Sequence, residues 1–109
     1  MRCIYTPVIG RLLIHPKSKE FEDDCPLCIE FEIIWLDDHI VFLKKDNFTD
    51  YSRPLMLAIF ISLWNRNCHE LIISTDNLTS VSYAEVVSVK GISALWKANL
   101  KKLKKRKIF

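Results

Sequence analysis

Two cysteines three apart, in Cys25-Pro26-Leu27-Cys28, are the residues whose type and spacing most directly suggest chemistry. A Cys-x-x-Cys turn offers two thiolates to one metal ion, and a closed tetrahedral zinc site needs two further nitrogen or sulfur ligands. Cys3 and His15 would supply them if the first strand folds back on the turn. The alternative is a pair of thiols in a tight turn without metal. The remaining cysteine, Cys68, reads as a packed hydrophobe beside a hairpin turn. Asp37-Asp38 has the form of a carboxylate pair for a divalent ion, but its place between two strand-like runs makes it a solvated hairpin turn.

The second chemical signal is a charge asymmetry. The chain of 109 residues has a net charge of +3. Residues 1–89 carry 8 Lys/Arg against 13 Asp/Glu, a balance of −5. Residues 90–109 carry 8 basic residues and no acid, a balance of +8. Lys101, Lys102, Lys104, Lys105, Arg106 and Lys107 make most of that excess. Such a cluster gains from counterion release on a polyanion, although a solvated helix end is its commoner meaning.

These groups must be positioned by a small body. The length fits a single domain over residues 1–109, with a basic helix end and tail at about 97–109. Half the residues are apolar and only 2 are Gly and 4 Pro, which excludes a disordered composition. The longest apolar run, residues 55–63 around Ser62, falls far short of the roughly 20 residues that span a bilayer. The first residues lack the apolar stretch and cleavage site of a signal peptide, so a reducing cytoplasm is expected, with cysteines as thiols or metal ligands.

Short β-rich runs at 10–16, 30–36 and 39–44 predict strands. Residues 45–53 read as a polar loop closed by Pro54. The run at 55–64 is apolar on all sides, so periodicity does not separate a buried strand from a buried helix. Ile59-Phe60-Ile61 and the turn residues Asn65-Arg66-Asn67 favour a hairpin of 55–63 with 69–75. Ser82-Tyr83-Ala84-Glu85 fits a capping box, and Val86, Val89, Ile92, Trp96, Leu100 and Leu103 follow at three- and four-residue spacing. That stripe predicts a helix over residues 83–104, with Gly91 inside it at a cost of about 1 kcal/mol.

Read in order, several segments resemble the N-terminal half of galactose-1-phosphate uridylyltransferases, in the histidine-triad superfamily. Thr6-Pro7-Val8-Ile9-Gly10-Arg11-Leu12-Leu13-Ile14-His15-Pro16 resembles the family's opening strand. Cys25-Pro26-Leu27-Cys28 resembles its C-P-F-C, and residues 39–48 resemble the strand and N-x-F turn after it. Cys68-His69-Glu70-Leu71-Ile72-Ile73-Ser74-Thr75-Asp76-Asn77 resembles its H-E-V-I-I-E-S-P-D-H. The helix expected from Tyr83 takes the place of the family's next helix. The resemblance implies a base pocket at Asp46, Asn47 and Phe48, with Phe48 stacking on a base, and phosphate contacts mapping loosely to Lys17 and Lys19. It implies zinc on Cys25 and Cys28, but Asn77 stands at the third ligand position and the His-Pro-His segment that carries the fourth ligand and the nucleophile is not found. No catalytic residue is therefore assigned.

The expected fold is α+β, a mainly antiparallel sheet of about five strands with one long C-terminal helix, resembling half of a uridylyltransferase. The expected function is a catalytically incomplete nucleotidyltransferase-like domain that binds a nucleotide or nucleotide sugar, or serves as an interaction module. The half-family architecture implies an exposed sheet edge and hence a homodimer or a partner chain. The alternative is a nucleic-acid-binding protein that uses the basic C-terminal helix. A ribonuclease H-like reading of Thr75-Asp76-Asn77 needs several converging carboxylates, and Pro54 stands where the preceding helix would need its Glu. A strand-to-loop turn at Asp76 is the simpler expectation.

Overall fold

A computed structural model describes residues 8–14, 29–44, 51–76 and 78–109. Among the described residues, six strands and two helices follow in the order β1 (Val8–Ile14), β2 (Ile29–Trp35), β3 (Ile40–Leu43), α1 (Arg53–Trp64), β4 (Glu70–Asp76), β5 (Glu85–Lys90), β6 (Ser93–Asn99) and α2 (Leu100–Lys105). The strands form one sheet in the order β1-β2-β3-β4-β6-β5. Its neighbours are antiparallel except for the central pair β3 and β4, which run parallel. A parallel pair needs a crossover, and α1 supplies it. The fold is α+β and the sheet mainly antiparallel, as expected; the described strands number six where about five are expected, and the one parallel pair makes the sheet mixed.

The strands expected over 10–16, 30–36, 39–44 and 69–75 are β1, β2, β3 and β4, each displaced by no more than two residues. Period-2 alternation explains their stability. Phe31, Ile33, Val41, Leu43, Leu71 and Ile73 are all buried on one sheet face, whereas Glu32 is exposed. On the opposite face Ile34 pairs with Phe42 and Phe42 with Ile72, an apolar row flanked by the ion pairs Lys44–Glu32 and Lys97–Glu70.

The hairpin expected for residues 55–75 is instead helix α1 followed by β4. Ser52 is the N-cap residue and a proline sits in the first turn, where its missing N–H costs nothing. Leu55, Met56, Ile59, Phe60 and Leu63 form the buried face, a helical spacing that a half-buried strand does not produce. Each such side chain contributes about 1.5–3 kcal/mol on burial. The helix closes with Asn67 in the left-handed region at φ 66°, its N–H donating to Trp64 O while Cys68 N–H donates to Leu63 O. This Schellman arrangement explains why the Asn-Arg-Asn segment is turn chemistry, but of a helix end.

The helix expected over residues 83–104 is also overturned. Tyr83 has φ 62°, which rules out a capping-box helix start, and β5 and β6 form a hairpin through Gly91 and Ile92. Gly91 has φ +58° with open space around it, so its role is to turn a two-residue hairpin loop. A register shift between Val86 and Ser88 marks a β-bulge. The indole N–H of Trp96 donates to the buried Thr75 Oγ1 at 3.0 Å, tying β6 to β4. Only the last part of the expected helix exists, as the six-residue α2.

Candidate polyanion-binding surface

The basic cluster sits on α2 and the turn after it. Asn99 caps the helix, its side-chain oxygen accepting from Lys102 N–H at 3.1 Å. Leu100 and Leu103 point into the core, and Leu100 N–H donates to His69 O at 2.8 Å. Lys101, Lys102, Lys104, Lys105, Arg106 and Lys107 are all exposed, and none pairs with a carboxylate of a described residue. The last turn is favourable for cations because it carries the negative end of the helix dipole.

Backbone hydrogen bonds close the segment. Lys107 adopts φ 59°, Lys107 N–H donates to Lys104 O and Ile108 N–H to Leu103 O, a second Schellman closure. That closure turns Ile108 and Phe109 back onto the core. The Phe109 ring lies 5.7 Å from Phe60 and 5.9 Å from Trp64, with Lys104 Nζ 5.2 Å above its face. The cations therefore stand on a docked element of defined shape.

Between α2 and the β5–β6 hairpin lies a shallow pocket of about 200 Å³, lined by Tyr83, Glu85, Lys97, Asn99, Lys102 and Arg106 among others. Pockets that enclose a drug-sized ligand run from about 300 Å³ upward, so this one is too small to enclose a whole nucleotide. Lys97 Nζ is held by Glu70 Oε1 at 2.8 Å, which leaves Lys102 and Arg106 as its cations without a described carboxylate partner. Tyr83 and Asn99 were not anticipated at this site. The Asn-Leu-Lys-Lys order is the N-cap signal that would have marked where the helix starts.

A second cluster lies at the start of β3 and β4. The rings of His39 and His69 stack 4.1 Å apart with an interplanar angle of 10°. His39 Nδ1 donates to Asn67 O at 2.9 Å. Partial desolvation, then the neighbouring His39 and Lys101, hold the His69 pKa below its ordinary 6.5, with Asp37 opposing them. A histidine with a lowered folded-state pKa binds fewer protons than in the unfolded chain. Its stabilising contribution is therefore present above about pH 6.5 and lost as pH falls below it. The urea midpoint should drop between pH 7.5 and 5.5, and the drop should shrink in a His69→Gln variant. An unchanged pH profile in that variant would show that His69 is not the titrating group.

The other chemical candidates resolve as structural. Asp37 Oδ1 accepts the N–H groups of His39 and Ile40, confirming a turn role. Asp76 Oδ1 accepts from Leu78 N–H, Thr79 N–H and Thr79 Oγ1, and a loop and strand follow where a ribonuclease H-like site would have a helix. Cys68 is fully buried beside the α1–β4 turn, donates to Glu70 O, and has its thiol pushed up to about 11 by burial. At neutral pH it stands as a protonated thiol. Cys3, His15, Lys17, Lys19, Cys25, Cys28, Asp46, Asn47, Phe48 and Asn77 lie outside the described residues. Among the described residues no group of three metal-ligating side chains comes together, and no helix is long and apolar enough to cross a membrane.

Set beside known protein families, curated proteins and solved structures, the chain matches none. What the fold and surface define by themselves is an α+β protein whose six-stranded mixed sheet carries a docked, basic C-terminal helix.

Proposed function

We propose that this protein binds nucleic acid through its phosphate backbone, using α2 and the turn after it. The observation that carries the reading is the set of six exposed cations, Lys101 to Lys107 without Leu103, on an element that Leu100, Leu103, Ile108 and Phe109 fasten to the core. Preorganised cations spend less of their attraction on ordering than a loose tail would. The acidic balance of residues 1–89 repels a polyanion from the rest of the body and so orients the encounter. The pocket beside Lys102 and Arg106, which Glu85 also lines, has room for one phosphate group.

Nothing in this set reads bases, so binding is expected to follow charge over sequence. A labelled DNA duplex titrated at 50 and 200 mM salt should lose about 10²- to 10³-fold in affinity, the change for roughly four to six neutralised phosphates. No binding, or binding indifferent to salt, would overturn the reading. The uridylyltransferase-like alternative attaches to Asp46, Asn47 and Phe48. Saturable protection against thermal unfolding by UDP-glucose, with no response to the duplex, would favour it.

A further inference from the structure

β5 is an edge of the sheet and has no strand beyond it among the described residues. Edge strands in monomeric proteins are usually short, charged or covered, because their open amides recruit other strands. β5 does the opposite. Val86, Val87 and Val89 are 51%, 64% and 59% exposed, and Ile92 in the adjoining turn is 75% exposed. Its two charges sit at its two ends, Glu85 first and Lys90 last.

We infer that the partner of this edge is a second copy of the chain, joined β5 to β5 in antiparallel register about a two-fold axis through Ser88. Three features support that register. A two-fold perpendicular to a continuous sheet preserves its faces, so opposed residues must lie on the same face. Glu85, Ser88 and Lys90 share one face, set by their partners Lys97, Leu95 and Ser93 on β6. Val86 and Val89 share the other, opposite Trp96 and Ala94. The bulge at Val87 brings Glu85 and Lys90 into phase although they are five residues apart.

Centred on Ser88, the pairing opposes Glu85 to Lys90 of the second copy, Lys90 to its Glu85, and Val86 to its Val89. Both charges find opposite partners and the valines meet in a cross-strand cluster. The other edge lacks this property. β1 is centred on Arg11, its one charged residue, and centred self-pairing would set arginine against arginine.

The contact is independent of the nucleic-acid reading and is tested without nucleic acid. A single-strand edge is a small interface, so sedimentation equilibrium of the full chain should show monomer and dimer exchanging with a dissociation constant of about 10–100 µM. Lys90→Glu places like charges at both ends of the pairing and should weaken the dimer about tenfold. Combining it with Glu85→Lys inverts both charges and keeps the register self-complementary, so the double variant should recover dimerisation. Circular dichroism of each variant verifies the fold. A monomer at several hundred micromolar, a dimer untouched by Lys90→Glu, or no recovery in a folded double variant would each overturn the proposal.

Discussion

Replacing Phe60 with alanine is expected to destabilise the protein by about 3–5 kcal/mol, the range for truncating a fully buried aromatic side chain. Phe60 is fully buried on the inner face of α1. Its ring lies 6.3 Å from Tyr83 and 5.7 Å from Phe109, so one side chain joins the crossover helix, the loop before β5 and the C-terminal closure. No neighbour can collapse into the space without dragging one of those segments. Against a total stability of about 5–15 kcal/mol, the loss would leave the variant marginal at 37 °C. The neighbouring Ile61 is 50% exposed, and Ile61→Ala should cost under about 1 kcal/mol. Ile59, fully buried on the other side of Phe60, should behave like Phe60, at about 2–5 kcal/mol for Ile59→Ala. Two costly neighbours followed by a cheap one is a helical pattern that an alternating strand would not give. Urea denaturation of the three variants measures it, and an inexpensive Phe60→Ala would show that α1 does not seat on the sheet as described.

The second large effect concerns the basic surface. Changing Lys101, Lys102, Lys104 and Lys105 together to glutamine should lower duplex affinity at 50 mM salt by about two to three orders of magnitude. It should also flatten the salt slope by about 0.9 for each phosphate no longer neutralised. Glutamine is nearly as good a helix former as lysine, so the fold should survive. Glutamate would add repulsion from the helix dipole and confuse stability with binding. Deleting residues 101–109 is the wrong experiment here, because it also removes Leu103, Ile108 and Phe109 from the core. Fluorescence anisotropy with a labelled duplex gives both readouts. An unchanged slope would place any nucleic-acid contact elsewhere.

The first three strands and β4 are legible in the sequence because each is a short run rich in β-formers, and burial alternates with period 2 along the side chains described. The two misread regions lack that contrast. α1 has apolar residues beyond its buried face too, the half-buried Leu57 and the exposed Ile61, so its periodicity is blurred. The decisive signals were local, Ser52 and Pro54 at the start and Asn67 at the end. Residues 83–104 mislead for a different reason. An exposed edge strand, a tight turn, a strand and a short helix happen to place apolar residues three and four apart. Three valines within four positions before Gly91 were the stronger signal for a hairpin. The parallel pairing of β3 with β4 has no local signature, since it depends on α1 being a crossover. The cations of the candidate surface were legible one by one. Their docking was not, because a lysine, Lys107, occupies the left-handed position where glycine or asparagine usually announces a helix end.

Trp64 stands where these features meet, its ring 5.8 Å from His69 and 5.9 Å from Phe109. An excited indole gives up an electron more readily to an imidazolium than to a neutral imidazole. Its emission, one of three indole signals in the chain, is expected to dim as His69 takes a proton and to shift to the red if Phe109 is displaced and water reaches the ring. With Trp35 and Trp96 changed to Phe, Trp64 would serve as a built-in optical gauge of His69 protonation and of the docking of the C-terminal segment.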